Sequence, residues 1–182
     1  MKYLFLTVAL FFSYVVTAQI DIQFPLLEGE SLTREFVTLP EDVNGKYTLI
    51  GLAFSKKSEK FLNGWFNPIY QSFIFKPDGN SLFAGNYDVN VFFVPMFTGA
   101  KRPAYEKVMQ KVIEDIDPRL RPYVLFYKGT MKEYKRTLDF EGKELPYFYI
   151  LNPNGKVIYT TSGQYSDRKM QIITEKLEPA WN

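Results

Sequence analysis

Apolar residues along the chain fall either in short continuous runs or at three- and four-residue spacing, which indicates strands that alternate with amphipathic helices. The run at residues 48–54 has the length of a strand and is apolar enough for a central strand covered on both faces. The positions after it predict a helix, because its apolar side chains share one face: Phe61, Leu62, Trp65, Phe66, Ile69, Tyr70 and Phe73. Ser58 is expected to cap the start of this helix, and Pro68 to kink it.

The rest of the chain continues this alternation. The segment before residue 48 mixes short apolar stretches with proline and glycine, which predicts short strands and turns. Pro95 predicts that its strand either lies at an edge or stops pairing early. The later elements, in order, are a loop at 76–86, a strand at 89–97, a helix from Pro103, a strand at 123–127, a short helix or turn at 130–138, a hairpin of 147–151 with 156–161, and a final helix capped by Ser166.

This order predicts an α/β sandwich: a mixed central sheet with helices on both faces, closed by a C-terminal hairpin and helix. The chain of 182 residues is 46% hydrophobic and 18% aromatic, which excludes a disordered protein. We therefore expect a single domain over residues 19–182, preceded by a targeting segment.

The N-terminal residues have the pattern of an export signal. Lys2 is followed by an uncharged run and then by Val16-Thr17-Ala18, the small-residue pattern that signal peptidase recognises. The run is shorter than the roughly 20 apolar residues of a membrane-spanning helix, and no later segment resembles one. We expect residues 1–18 to be removed and the mature protein to be periplasmic or secreted, without a stable membrane span.

Missing residue types exclude several classes of chemistry. The chain has no cysteine and no histidine, so it lacks a thiol nucleophile, a redox pair, an imidazole base and any His-ligated metal. Its net charge is +2 with both signs interspersed, which gives no reason to expect nucleic acid. No EF-hand pattern and no glycine-rich phosphate loop is present, so no metal and no cofactor is expected.

Two blocks of sequence resemble the thioredoxin-like superfamily, especially its peroxiredoxin-like and exported reductase-like branches. These blocks are "YTLIGLAFS" before the first helix and "ELPYFYILNPNGKVIYTTSG" before the last one. The resemblance spans roughly residues 30–178 and implies a thioredoxin-like fold with a cis bond between Leu145 and Pro146. With the Trp-x-x-Pro of the first helix, the blocks are also similar to the mitochondrial ATP synthase assembly-factor family. That likeness implies an assembly or chaperone-like role without redox turnover.

The redox cysteines of exported reductases have no counterpart in this chain. Aligning "LIGLAFS" with the strand that precedes the redox pair puts the two cysteine positions on Lys57 and Lys60, and a shift of two residues puts them on Ser55 and Ser58. Lysines at a helix N-terminus repel the positive end of its dipole and could hold an anion or an acidic partner segment. The alternative is that they only keep the first helical turn soluble.

Our leading hypothesis is a non-catalytic binding or assembly module of the cell envelope, since fold and site chemistry are separable. A groove between the first helix and the loop at Pro146 would receive an extended peptide or another envelope protein, with Trp65 or Tyr147 as an apolar wall. The expected groove residues are Ser55, Lys57, Ser58, Lys60, Leu145, Pro146 and Tyr147.

The alternative hypothesis is an enzyme with thiol-independent chemistry. It would use Lys57 or Lys60 with a carboxylate such as Asp139 or Glu144. A nucleophilic lysine needs burial to depress its pKa, and the sequence offers no apolar pocket around these lysines. The burial of the lysines therefore discriminates the two hypotheses.

Overall fold

The computed structural model describes residues 21–75, 87–138 and 142–180. The predicted signal at residues 1–18, the predicted loop at 76–86 and the candidate carboxylate Asp139 lie outside the described residues. Within the described ranges, no helix is long and apolar enough to cross a membrane.

The described part of the chain forms an eight-stranded mixed sheet in the order β1-β8-β7-β4-β5-β6-β2-β3. Strand β4 lies in the middle, parallel to β5 on one side and antiparallel to β7 on the other. Strands β5 and β6 are parallel, and the remaining neighbours are antiparallel. The strands are β1 (Ile22–Gln23), β2 (Leu27–Ser31), β3 (Phe36–Leu39), β4 (Tyr47–Ala53), β5 (Val89–Thr98), β6 (Leu125–Gly129), β7 (Tyr147–Leu151) and β8 (Lys156–Ser162).

Helices cover both faces of this sheet, which confirms the predicted α/β sandwich. The α-helices of the described part are α1 (Lys56–Ile69), α2 (Tyr105–Asp115), α3 (Lys132–Leu138) and α4 (Asp167–Leu177). Short 3₁₀ turns connect several elements: Glu41–Val43, Gly99–Ala104, Pro118–Tyr123 and Glu178–Ala180. As predicted, Ser166 caps α4, and its side chain accepts a bond from the amide of Lys169.

The core forms one apolar layer on each side of the sheet. Helices α1, α2 and α4 bury side chains such as Trp65 against one face. Helix α3 and the N-terminal segment bury Tyr134 and others against the opposite face. Because strand side chains alternate, Leu49 and Ile50 of β4 belong to different layers. The continuous apolar run in β4 thus fixes a central strand whose C-terminal end leads directly into α1.

Two prolines modify their elements in physically simple ways. Helix α1 ends at Ile69, one residue after Pro68, and a π-helical turn at Tyr70–Ile74 follows. Pro68 has no amide proton for the helical ladder, so regular α-geometry is weakened there. Strand β5 is internal, so an edge position for Pro95 is wrong. The alternative of an early end holds only on the β4 side, where pairing stops at Pro95, because β5 continues to Thr98 and pairs with β6 from Met96 onward.

Candidate functional site

The start of α1 is closed by two serine hydroxyls. Ser55 is the N-cap, with an extended backbone, and its Oγ accepts a bond of 3.1 Å from the amide of Ser58. The Oγ of Ser58 accepts in return from the amides of Ser55 at 2.8 Å and Phe54 at 2.9 Å. This reciprocal pattern is a capping box, which satisfies amides that a helix start would otherwise leave unpaired.

The prediction that Ser58 caps α1 is therefore wrong. The helix begins at Lys56, and Ser55 occupies the N-cap while Ser58 is the third helical residue. The reason is geometric, since Ser55 directly follows the extended chain of β4 and its side chain can reach the amide three residues ahead. The Ser-x-x-Ser spacing is the signal in the sequence that could have identified the box.

The two candidate positions for the former redox pair differ in environment. Ser58 is fully buried and Ser55 is half-buried, and their Oγ atoms lie 3.2 Å apart. Lys57 and Lys60 are the second and fifth helical residues, and both are exposed. The structure thus brings the serines together at the junction of strand and helix and leaves the lysines on the surface.

An ion pair joins α1 to the loop that precedes β7. The Nζ atom of Lys57 contacts the carboxylate of Glu144, and the two side chains are 58% and 69% exposed. An exposed pair of this kind contributes only about 0–1 kcal/mol to stability, so it indicates proximity more than strength. Lys60 forms no ion pair with any described residue. No local signal in the sequence predicts this contact, because Lys57 and Glu144 are 87 positions apart.

The bond between Leu145 and Pro146 is not cis, so that prediction is wrong; the cis bond of the described residues joins Leu39 to Pro40. The carbonyl of Pro146 accepts a bond of 2.9 Å from the amide of Gly163, which extends the pairing of β7 with β8. The bond has the trans form, which is favoured by about 0.5–1 kcal/mol at an X-Pro bond.

The loop at 142–146 presents Leu145 at the surface. Its side chain is among the exposed large apolar groups of the described chain, whereas Pro146 beside it is buried. Neither the amide nor the carbonyl of Leu145 has a hydrogen-bond partner among the described residues. This residue therefore offers an apolar side chain and free backbone groups next to the start of α1.

The two aromatic residues that were expected to line the groove belong mainly to the core. Trp65 is fully buried, its ring lies 4.3 Å from that of Phe148, and its Nε1 donates to the carbonyl of Gly163 at 3.1 Å. Tyr147 is only 8% exposed, and its hydroxyl accepts a bond of 2.9 Å from the amide of Gly142. Tyr147 thus supports the loop at 142–146 from the core side. The prediction that Trp65 forms an apolar wall of the groove is wrong.

The described residues around the start of α1 include no side chains placed as a metal-binding cluster. In the described ranges, no cluster of three or more acidic side chains is placed to bind a metal ion. The serine hydroxyls are engaged in the capping box, and among the described residues neither bonds to a lysine or a carboxylate. What the site offers to solvent is a lysine-rich helix start, one ion pair and the Leu145 loop.

Solved structures with the same arrangement of strands and helices identify the fold. BsSco, a member of the Sco family of cytochrome c oxidase assembly proteins, has a TM-score of 0.56 and 12% identity, covering 89% of this chain and 95% of that chain. An SCO1/SenC family lipoprotein from Bacillus anthracis has a TM-score of 0.54 and 13% identity, covering 90% and 98%. The exposed lipoprotein thioredoxin Etrx1 of Streptococcus pneumoniae has a TM-score of 0.54 and 11% identity, covering 84% and 98%.

The chain has a thioredoxin-like fold. No protein-family model matches the sequence, and no curated protein matches it at a significant level. The identities to the solved structures are low, so the likeness defines the fold and not the activity. The thioredoxin-like framework is nevertheless free of thiols here, because the chain has no cysteine at any position.

Proposed function

We propose that the protein is a non-redox, thioredoxin-like binding module that captures an extended segment of a partner protein. The binding surface, called here the α1-start surface, consists of Ser55, Lys57, Lys60 and the loop at 142–146, and the buried side chains of Ser58 and Tyr147 support it from beneath. The observation behind this proposal is the contact of Lys57 with Glu144, which places the loop beside the start of α1 and presents Leu145 next to it.

Redox chemistry is absent from this proposal for a chemical reason. Disulfide exchange requires a thiolate that attacks sulfur, and this chain cannot supply one. In Cys-x-x-Cys proteins the reactive thiol lies at a helix N-terminus, where its pKa is lowered. We infer that Ser55 and Ser58 stand at these two positions, because they are the N-cap and the third residue of α1. The alternative register on Lys57 and Lys60 would put both groups on the helix surface.

The chemistry of the surface favours an extended, acidic segment. An extended peptide can bond to the free backbone groups of Leu145 and cover its exposed side chain. Lys56 and Lys60 are exposed and form no ion pair with any described residue, so they can attract carboxylates on the partner. Lys57 is already paired with Glu144 and contributes less net charge.

We place this function in the cell envelope, with export directed by the pattern at residues 1–18. The names of two similar structures support this placement, since one is an exposed lipoprotein and another belongs to a family of cytochrome c oxidase assembly proteins. An assembly or chaperone-like role is the form of partner binding that we propose for this chain. No redox turnover is part of it.

The alternative of a lysine-based enzyme receives less support. A nucleophilic lysine requires a desolvated environment, and Lys57 is 58% exposed beside a Glu144 that is 69% exposed. Lys60 is exposed as well and has no carboxylate partner among the described residues. The lysines are therefore better suited to contact a partner than to attack a substrate.

Charge reversal tests the proposal directly. The variant Lys57→Glu/Lys60→Glu should recover less of its specific partners from an envelope extract, with recovery measured by quantitative mass spectrometry. Raising the salt concentration should weaken recovery by the unmodified protein, because charges are screened over about 8 Å at physiological ionic strength. The matched control is Lys107→Glu/Lys111→Glu, which makes the same change of net charge on exposed positions of α2.

Thermal unfolding of both variants is measured as well. Both should melt like the unmodified protein, since exposed substitutions usually change stability by less than about 0.5 kcal/mol. Selective loss of partner recovery in the Lys57/Lys60 variant, with an unchanged melting profile, supports the α1-start surface. Equal recovery by the two variants would reject it and leave these lysines as ordinary surface charges.

A further inference from the structure

A cavity of about 140 Å³ opens on the opposite flank of α1 from the α1-start surface. It lies between α1 and α2, over β5 and β6, whereas the loop at 142–146 leads into β7 on the other side of β4. Its walls are mainly apolar, and Glu59 and Asn63 of α1 line it as polar residues. The apolar lining includes Leu62, Phe66, Phe97, Val108, Val112 and Phe126.

Aromatic contacts hold the walls of this cavity in place. The rings of Phe97 and Phe126 stack at 5.1 Å with an interplanar angle of 18°. Phe66 meets Phe93 edge-on at 4.2 Å. On the α2 side, Val108 and Val112 are only partly buried, so α2 leaves the space next to α1 unfilled. Such a pre-formed, largely apolar concavity is typical of small-molecule sites.

The volume selects a single ring as the occupant. A dry apolar cavity of about 150 Å³ is sufficient to hold benzene. Drug-sized ligands and cofactors occupy pockets of roughly 300–1,000 Å³, which is well above the space available here. The space therefore suffices for one six-membered aromatic ring.

The polar residues at the cavity add a requirement for hydrogen bonding. Glu59 and Asn63 lie one helical turn apart, on the same side of α1. Oε1 of Glu59 accepts a bond of 2.8 Å from Nζ of Lys101, while its second oxygen has no partner among the described residues. The side-chain amide of Asn63 has no partner there either. A hydroxyl on the ring could donate to either oxygen acceptor.

We propose that this cavity binds a small neutral phenol, with the ring against Phe97 and Phe126 and the hydroxyl toward Glu59 and Asn63. The site uses the opposite flank of α1 and does not depend on the proposed partner binding. Ring burial provides most of the affinity, since it removes apolar surface from water, and the hydroxyl provides selectivity over an unsubstituted ring.

The test is a titration of the full chain with phenol and, in parallel, with benzene, followed by NMR of the valine methyl groups. Phenol should bind saturably at one site and should perturb Val108 and Val112. Val112→Phe fills the cavity and should lower the affinity for phenol at least tenfold. Val37→Phe, on β3 and against the opposite core layer, is the matched control and should bind phenol like the unmodified chain.

Far-UV circular dichroism and thermal unfolding establish that each variant is folded. If Val112→Phe fails to fold, Val108→Leu removes part of the same volume and is judged by the same loss of affinity. Absence of saturable phenol binding, or unchanged affinity in a folded cavity-filling variant, would overturn the site. Binding of benzene as tight as that of phenol would overturn the assignment of the hydroxyl to Glu59 and Asn63.

Discussion

Ser58 shows how a single buried hydroxyl organises the start of α1. Its oxygen accepts bonds from two successive amides, those of Phe54 and Ser55, at the point where β4 gives way to the helix. Phe54 is 5% exposed, so water has little access to its amide if the hydroxyl is removed. The residue therefore supports the geometry of the α1-start surface without being exposed itself.

Ser58→Ala should lower the free energy of unfolding by about 1–3 kcal/mol, because it removes the buried hydroxyl that accepts bonds from two successive amides. The measurement is urea-induced unfolding followed by circular dichroism. Ser72→Ala, at an exposed position just beyond α1, is the control and should change stability by less than about 0.5 kcal/mol. Equal effects of the two substitutions would mean that the bonds of Ser58 do not stabilise this junction.

At the scale of elements, local patterns identified most of the fold. Strand β7 has the predicted bounds, the hairpin to β8 forms, and α4 begins after Ser166 as its cap. These features depend on periodicity and on nearby turn residues, which the sequence displays directly. Strand β6 was predicted at 123–127 and begins two residues later, because Pro118–Tyr123 forms a 3₁₀ turn.

The site was predicted less completely, since its contacts join distant parts of the chain. The approach of Lys57 to Glu144 spans 87 residues, and no periodic pattern encodes it. The isomer of the bond before Pro146 has no local signal either, because the cis and trans forms of an X-Pro bond differ by only about 0.5–1 kcal/mol. The burial of Trp65 depends on packing with Phe148 and Tyr165, which helical spacing could not separate from a groove wall.

The turn before β6 makes a prediction about pH. Asp117 caps this turn, and its carboxylate accepts bonds from Arg119. The side chain of Arg119 has the larger effect and its backbone amide the smaller one, and together they lower the pKa of Asp117 to about 2. A lowered pKa means that the stabilising contribution is complete above the ordinary value of about 3.9 and is lost as the pH falls through about 2.

An NMR titration of the Asp117 carboxyl carbon should therefore give a midpoint near 2. Arg119→Ala should raise the midpoint only part of the way to the ordinary value, because the backbone amide at position 119 still donates to the carboxylate. A midpoint at the ordinary value in the unmodified protein would contradict the bonding of this cap.

At the scale of the whole molecule, the protein combines a thioredoxin-like framework with a helix start that has no thiol. The buried β4 and the capped α1 place Ser55 and Ser58 at the junction, and the loop at 142–146 lies against it through Glu144. We propose that this junction is the former redox position and that partner binding uses the surface around it. This proposal requires the two former cysteine positions to be Ser55 and Ser58.

Restoring thiols at that register tests the claim most directly. The variant Ser55→Cys/Ser58→Cys should form an intramolecular disulfide when it is treated with oxidised glutathione, because the Oγ atoms of the two serines are already 3.2 Å apart. The thiol at position 55 should alkylate at neutral pH faster than a free cysteine, since the helix N-terminus lowers its pKa. Lys57→Cys/Lys60→Cys is the matched control and should show neither property to the same extent. Equal or preferential disulfide formation and thiol reactivity in that control would contradict the account.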